Sequence, residues 1–387
     1  MFYRNSLGLV PLVKGSLYDL PCPGNLSVWW NMGSLLGVCF SIQLVTGWLL
    51  SCFYTAHENL AFDSVSFIIR EVNSGSFIRN IHINVAGAMF AFMYLHIGRG
   101  IYYGSYRLYP VWLSGVGLLL LTMFTAFTGY VLPWGQMSYW AAQVISNFLT
   151  VIPYVGEGIA MWFWGGYAVG GITLKRIFSI HFVLPFVIAG VIVLHLGFLH
   201  VVGSSNPLGV DSDDGVSVRF HRLFFLKDLV GVVIFLVVLG VCVCFYPYSL
   251  VDCETFVPCM YMKTPLNIHP EWYFLFAYSI LRSIPNKSGG VVMMLLSILV
   301  LLFLPEFSVS FDEGFVRSSF FQLLFWLWVG NFCVLTWIGG KGVVEPYISW
   351  GKFCTVMYFL FFLLMPFCGV VDRFIWFSKG YSFSSCG

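Results

Sequence analysis

Residues 82–96 read HINVAGAMFAFMYLH, an apolar stretch with a histidine at each end and no Asp, Glu, Lys or Arg between them. A second stretch, 181–195, reads HFVLPFVIAGVIVLH and has the same two ends. Ionisable side chains inside apolar runs of membrane-spanning length are costly and mark functional sites. The two stretches therefore predict two membrane helices that each present a pair of imidazole rings.

The composition is typical of a protein that lies in lipid. Of the 387 residues, 59% are hydrophobic and 9% are charged, whereas a soluble domain carries about 25% charged residues. The net charge of +2 and the lack of a basic run exclude a nucleic-acid surface. Residues 1–30 lack a positively charged start followed by a compact apolar core, so we expect no cleavable secretory signal.

The 11 cysteines include no C-x-x-C pair. Most of them lie in apolar runs, where cysteine behaves as a small hydrophobic residue. We therefore expect free thiols, with a loop disulfide between Cys253 and Cys259 as the alternative.

Eight apolar runs are long enough to cross a membrane, which takes about 20 residues. Because a backbone in lipid must satisfy its own hydrogen bonds, each run is predicted to be helical. The predicted fold class is an all-α integral membrane protein with both chain ends on the same side. The Lys and Arg residues of the loops divide too evenly to fix the orientation. The spans are predicted at 32–53, 77–103, 111–132, 177–202, 229–246, 289–306, 318–339 and 347–368.

Two connections are too long to be simple turns. Residues 133–176 contain four tryptophans, and residues 247–288 contain several prolines. Since Trp prefers the membrane interface, we expect short interfacial helices in both connections, on one face of the membrane. The acidic stretch 211–214 predicts a boundary between an N-terminal unit, 1–210, and a C-terminal four-span unit, 211–387.

The histidines of each stretch are 14 residues apart, a rise of about 21 Å on an α-helix. The second and fourth spans run parallel, so His82 is predicted level with His181, and His96 level with His195. Glycines repeat the same step on the antiparallel first and third spans. Gly47 and Gly129 are predicted at the His82 level, and Gly33 and Gly115 at the His96 level.

Each level of this four-helix bundle thus offers two facing nitrogens and two positions without a side chain. A flat, wide ligand with two axial imidazoles fits that arrangement, and haem is the cofactor commonly held so. Zinc is the weaker alternative, since its ligands must converge to about 2 Å from one point. Candidate partners of the haem propionates are Arg79, Arg99, Ser105, Arg176 and Asn206.

Five longer strings resemble the cytochrome b subunit of mitochondrial-type respiratory complex III, and the resemblance covers essentially the whole chain. They are SVWWNMGSLLG at 27–37, HIGRGIYYGSY at 96–106, GYVLPWGQMSYW at 129–140, GSSNPLG at 203–209 and PEWYFLFAY at 270–278.

The resemblance implies two non-covalent haem b groups, the low-potential one on His82 and His181 and the high-potential one on His96 and His195. It implies a quinol:cytochrome c reductase that oxidises quinol, expected to be ubiquinol, at one membrane face. One electron then passes to a Rieske iron–sulfur protein and the other through the two haems to quinone at the opposite face, coupled to proton translocation.

The same resemblance implies partners and a location. The partners are the Rieske protein, cytochrome c1, other complex III subunits and membrane lipid, in a homodimeric complex. The location is the mitochondrial inner membrane, with a bacterial plasma membrane as the alternative. The chain has no C-x-x-C-H motif of its own, so we expect it to be inactive for the full reaction alone.

Two quinone sites follow from the resemblance. At the quinol-oxidising site, Glu271 is the expected proton acceptor, with Tyr130, Tyr273 and Tyr278 around it. At the quinone-reducing site the expected residues are His200, Asp228, Lys227, Ser34 and Asn31, since an imidazole and a carboxylate can deliver two protons.

Ala141 departs from the family, most members of which have glycine after the tryptophan at 140. In the family an alanine there is associated with weak binding of methoxyacrylate inhibitors, so we expect native quinol oxidation with poor inhibition. Two rival functions remain. A transporter would use the histidines as a proton relay and would show no visible absorbance, and a reductase of the cytochrome b561 kind would explain the histidines but not PEWY.

Overall fold

The computed structural model describes residues 14–209, 217–306, 319–368 and 371. The acidic stretch 211–214 and, apart from residue 371, the tail 369–387 lie outside these residues. The α-helices are α1 (Met32–Ser51), α2 (Ala61–Arg70), α3 (Gly75–Tyr102), α4 (Tyr109–Val131), α5 (Gln136–Ser146), α6 (Gly156–Trp164), α7 (Gly171–Val202), α8 (Leu223–Phe245), α9 (Leu275–Ser283), α10 (Lys287–Leu299), α11 (Ser319–Gly339) and α12 (Tyr347–Leu364). Two short strands, β1 (Pro21–Pro23) and β2 (Ser217–Arg219), pair antiparallel.

Seven helices in the described part of the chain are long and apolar enough to cross a membrane: α1, α3, α4, α7, α8, α11 and α12. They match seven of the eight predicted spans. The sixth predicted span, 289–306, is a shorter apolar helix over Lys287–Phe303. It begins where the Asn286 side chain accepts a hydrogen bond from the Gly289 N–H at 2.8 Å, and its last turn, Val300–Phe303, is a 3-10 helix shortly before Pro305.

Helix α7 begins six residues before the predicted start at 177. Lys175 and Arg176 interrupt the apolar run, although they do not interrupt the helix. Its first turn is fixed by the hydroxyl of Thr173, which accepts from the Gly170 N–H at 3.1 Å, and by Glu58, which accepts from the Gly171 N–H at 3.1 Å. Capping of exposed helix donors in this way stabilises a start that hydropathy does not reveal.

The first four long helices pack in two pairs. Helix α1 packs against α3, and α4 packs against α7. Helix α8 packs on the outside of the first pair, and α9, α11 and α12 form the C-terminal group. The larger of two cores of buried apolar side chains reaches from α1, α3 and α4 to the C-terminal group and includes Cys39, Val85, Phe321, Leu335 and Met365. This core joins the two helix pairs to the C-terminal group of α9, α11 and α12.

Both long connections contain the short helices predicted for them. The first holds α5 and α6, and the second holds α9 with the 3-10 turns Cys253–Phe256 and Trp272–Phe274. Helix α2 lies between the first two spans, where the hydropathy pattern predicts no helix. The disulfide alternative is wrong, since Cys253 and Cys259 are both free thiols.

Gln136 joins the two long connections. Its backbone N–H donates to the Val257 carbonyl at 2.9 Å, its Nε2 donates to the Lys263 carbonyl at 2.9 Å, and its Oε1 accepts from the Met260 N–H at 2.8 Å. The side chain is 2% exposed. The predicted placement of both connections on one face is therefore confirmed.

Candidate functional site

A cavity of about 570 Å³ lies between the two helix pairs. Its wall includes His82 and His181, Gly47 and Gly129, and Arg79. Pockets that hold cofactors and small ligands commonly have volumes of about 300–1,000 Å³. The cavity therefore opens at the level where sequence spacing places the first pair of histidines.

At this level each glycine faces one imidazole. A Cβ atom built on Gly47 would lie 3.2 Å from Cε1 of His82, and one built on Gly129 would lie 2.5 Å from Cε1 of His181. Any side chain at Gly129 would collide with the ring. The absence of Cβ atoms is thus what lets both imidazoles stand where they do.

The second level repeats the arrangement. A Cβ built on Gly115 would lie 3.2 Å from Cε1 of His195, and one built on Gly33 would lie 3.6 Å from Cε1 of His96. The structure thus places each of the four glycines against the histidine of its predicted level.

Hydrogen bonds orient the rings. Nδ1 of His82 lies 2.8 Å from the Thr46 hydroxyl, which donates its own hydrogen to the Ile42 carbonyl at 2.7 Å. The hydroxyl oxygen therefore accepts from Nδ1–H, and Nε2 keeps its lone pair. Nδ1 of His181 is likewise 2.9 Å from the Thr125 carbonyl. Neutral imidazoles held through Nδ1–H are the form that ligates a metal through Nε2.

On the second level, Nδ1 of His195 lies 2.9 Å from the Ser114 hydroxyl, which also donates to the Pro110 carbonyl at 2.8 Å. Nδ1 of His96 has a longer contact, 3.4 Å, with Nη2 of Arg99. The donor set of each level, two imidazoles on facing helices with two bare backbone positions, fits a haem.

Sequence reasoning missed the hydroxyl groups that orient the rings. The signal was present, because a hydroxyl residue directly precedes the glycine at three of the four positions: Thr46, Ser114 and Thr128. The Thr128 hydroxyl lies 3.4 Å from Nδ1 of His181. At the fourth position Met32 takes this place, and there the ring contacts Arg99 instead.

Two of the five candidate propionate partners carry buried, unpaired nitrogen atoms among the described residues. Arg79 is 8% exposed, lines the cavity and leaves Nη1 without a hydrogen-bond partner. Arg99 leaves Nε unpaired and stacks at 4.9 Å over the ring of Trp30, whose Nε1 is also unpaired. A buried cation with an open donor is costly alone and fits an anionic carboxylate.

The other three candidates have protein partners. Arg176 donates to the carbonyls of Trp162 and Phe163 and does not line the cavity. Ser105 and Ser205 share a hydrogen bond of 2.6 Å between their hydroxyls. Asn206 is buried and accepts from the Leu208 N–H at 3.0 Å. Their role toward a haem stays a prediction.

Glu271 and Tyr273 reach the same cavity from the second long connection, and Tyr130 reaches it from the end of α4. Removal from water in the cavity wall, together with the nearby carboxylate of Asp252, raises the pKa of Glu271 to about 7. Burial and the charge of Glu271 raise the pKa of Tyr273, which keeps that phenol protonated. Of these groups the carboxylate is therefore the one able to accept a proton near neutral pH.

Tyr278 lies apart from this group. Its hydroxyl donates to the Ile268 carbonyl at 2.9 Å, and its ring lies under the Arg282 guanidinium. It does not line the cavity. Ala141 is buried in α5 and is also absent from the cavity wall.

Four of the five residues predicted for quinone reduction lie together where α1 meets α8. Nδ2 of Asn31 donates to the Lys227 carbonyl at 2.8 Å, and the Ser34 hydroxyl donates to the Asn31 carbonyl at 2.8 Å and faces the Asp228 carboxylate. No hydrogen bond or ion pair within the described residues joins His200 to this group, and His200 is exposed at the end of α7.

Comparison with known proteins agrees with this geometry. Residues 17–203 match the family model for cytochrome b/b6/petB, and residues 258–359 match the model for cytochrome b(C-terminal)/b6/petD. A chain of a solved structure described as hyperthermophilic respiratory Complex III is 30% identical, with a TM-score of 0.87, over 95% of this chain and 97% of that chain. The two family models together span most of the sequence, and the chain therefore belongs to the cytochrome b/b6 family.

Proposed function

We propose that this chain is the di-haem membrane core of a quinol:cytochrome c reductase. The observation that carries the proposal is one cavity whose wall holds His82, His181 and the carboxylate of Glu271. The cavity thus brings together two histidines that can hold a redox cofactor and a carboxylate, that of Glu271, that can take a proton from quinol. Similarity to a chain of a hyperthermophilic respiratory Complex III supports the same function.

The family binds haem b, and haem b at the two histidine levels supplies one-electron transfer across the membrane. The chain's own part is ligation and orientation. Nε2 of each histidine would ligate the iron, while the hydroxyls of Thr46 and Ser114 orient the rings of His82 and His195. Arg79 and Arg99 would bind the propionates through their open donors.

At the quinol-oxidising face, Glu271 accepts a proton from the quinol hydroxyl. The cavity wall is mostly apolar, and Tyr130 and Tyr273 line the wall beside the carboxylate. Quinol gives up two electrons and two protons. Glu271 takes the first proton, and the second would be released at the same face. One electron would leave to a Rieske iron–sulfur protein, which with cytochrome c1 completes the reaction, and the other would reach quinone at the opposite face through the haems held by the four histidines.

At the opposite face, the cluster of Asn31, Ser34, Lys227 and Asp228 binds quinone. Asn31 and Ser34 offer polar groups, and Asp228 delivers a proton, with Lys227 beside it and His200 at the end of α7. Uptake of protons here and release at the other face would move protons across the membrane.

The complex is proposed as a homodimer in the mitochondrial inner membrane, with ubiquinone as substrate. A bacterial plasma membrane is the alternative, because a chain of a hyperthermophilic complex is similar over nearly its full length. Fractionation of the source cells, with the reduced-minus-oxidised haem absorbance as the marker, decides between the two locations.

The pH dependence of quinol oxidation tests the role of Glu271. Its pKa of about 7 places the rising limb of the rate–pH profile near neutrality, because only the ionised carboxylate accepts a proton. The groups facing it are Asp252, Tyr130, Tyr273 and, across the cavity, Arg79 and the histidines.

Glu271→Gln should lower the rate by about a hundredfold and remove this limb. The measurement is decylubiquinol:cytochrome c reductase activity of the purified complex from about pH 5.5 to about pH 9. Haem content must equal that of the native complex. A Gln variant with an unchanged rate and an unchanged limb would contradict the proposal.

Ala141→Gly tests the expectation carried by the family resemblance, since Ala141 itself is buried in α5 and does not line the cavity. The variant should raise sensitivity to a methoxyacrylate inhibitor by about tenfold, the size of effect that one methyl group can have on binding. Uninhibited activity should stay within about twofold. Titration of reductase activity with inhibitor measures both. Stoichiometric inhibition of the native complex would contradict the expectation, because it would show that the alanine does not weaken inhibitor binding.

A further inference from the structure

Helix α3 makes a second set of contacts on a face other than the one that carries its histidines. Gly87, Phe90 and Tyr94 follow one another at helical spacing, and this stripe lies roughly a third of a turn around the helix from His82 and His96. The stripe faces the 3-10 turn Trp272–Phe274 from the other half of the chain.

Three contacts join the stripe to the turn. A Cβ built on Gly87 would lie 3.4 Å from Nε1 of Trp272, so the indole packs where a side chain is missing. The rings of Phe90 and Tyr273 stack with centroids 4.0 Å apart and planes 6° from parallel. The hydroxyl of Tyr94 donates to the backbone carbonyl of Tyr273 at 2.5 Å.

The 3-10 turn also fixes the backbone position of Glu271. Glu271 directly precedes it, and its carbonyl accepts from the Phe274 N–H at 2.9 Å. The ring of Tyr94 is itself wedged between aromatic side chains, with edge-on contacts to Trp272, Phe276 and Phe332. Its hydroxyl therefore cannot swing away without disturbing that packing.

We propose that Tyr94 is a positioning residue for quinol oxidation: its hydroxyl fixes the height of the Trp272–Phe274 turn on α3 and so sets where the Glu271 carboxylate stands in the cavity. The proposal rests on the proposed function. The Tyr94 hydrogen bond links Glu271, the proton acceptor on the second long connection, to the helix that carries His82. It thus keeps the position of the proton acceptor fixed relative to a haem ligand.

Tyr94→Phe tests the proposal, because it keeps the wedged ring and removes only the hydroxyl. In the purified complex, kcat for decylubiquinol oxidation should fall about fivefold, the effect of one hydrogen bond, with KM within about twofold. Haem content and both midpoint potentials should be unchanged.

Tyr358→Phe is the matched control. The Tyr358 hydroxyl also donates to a buried carbonyl, that of Ser297 at 2.8 Å. Within the described residues, no hydrogen bond or ring contact joins Tyr358 to the Trp272–Phe274 turn. This variant should lose as much thermal stability as Tyr94→Phe and keep its kcat. An equal fall in kcat for both variants would overturn the proposal.

The sharpest test combines Tyr94→Phe with Glu271→Gln. If Tyr94 acts by placing the carboxylate, the hydroxyl deletion should cause no further loss once the carboxylate is gone, because coupled residues are non-additive. A further fivefold loss in that background would overturn the positioning role while leaving the proposed function intact. Native complex that does not oxidise quinol would instead refute the proposed function.

Phe90→Leu serves if Tyr94→Phe fails to assemble with haem. It removes the stacking on Tyr273 and tests the same stripe through a different contact. Its loss of kcat should likewise vanish in the Glu271→Gln background, and an additive loss would again contradict the proposal.

Discussion

Replacement of His195 by leucine should remove one of two spectroscopically distinct b-type haems and leave the other in place. His195 and His96 share a level that lies about 21 Å along the helices from that of His82 and His181. Leucine fills similar space but offers no lone pair. The loss should therefore be confined to the component with the higher potential.

The measurement is a stepwise redox titration of the visible spectrum, together with the haem-to-protein ratio, which should fall from about two to about one. Leu196→Ala is the control, because Leu196 is the next residue of α7 and is 47% exposed. Survival of both components in His195→Leu would refute the pairing. Loss of both, with Leu196→Ala intact, would show that the two levels do not bind independently.

Gly129→Ala should abolish haem at the His82 and His181 level while the other level stays filled. The added methyl would come within 2.5 Å of the His181 ring. Overpacking of a rigid site costs about 1–3 kcal/mol, and here the strain falls on a ligand ring rather than on a side chain free to turn away. Redox titration should show only the high-potential component.

Alanine substitutions at two other glycines serve as controls for Gly129→Ala. Gly117 lies on the same helix, and a methyl group added there would meet no atom within 4 Å, so Gly117→Ala should keep both haems. Gly33→Ala should have a mild effect, since its Cβ would lie 3.6 Å from His96, an ordinary contact distance. Equal haem loss in all three variants would show that the close approach of Gly129 to His181 has no special role.

Much of the site follows from the sequence because helix geometry is regular. A step of 14 residues fixes both the height and the face of a side chain, so the level that Gly129 shares with His181 could be predicted without coordinates. The same reasoning cannot predict hydrogen bonds such as the one between Thr46 and His82, since these depend on how side chains turn when two helices pack.

Other features depend on contacts between distant parts of the chain. The bond from Tyr94 to Tyr273 joins residues far apart in sequence, and periodicity contains no information about it. Hydropathy places Arg176 just before a span and so predicts it near a haem. The structure starts α7 earlier, so Arg176 lies within the helix and its guanidinium reaches the carbonyls of Trp162 and Phe163.

Gln136 has a consequence for the order in which the protein is built. The four histidines of the two levels and the four glycines that face them lie between Gly33 and His195, whereas the partners of Gln136 lie at 257, 260 and 263. Because a ribosome makes the N-terminal part first, the residues of both histidine levels are synthesised before the cavity-wall residues Glu271, Trp272 and Tyr273. A nascent bundle therefore lacks this part of the cavity wall, which would leave the cavity open to a cofactor, and the hydrogen bonds of Gln136 can form only once residues 257–263 have followed.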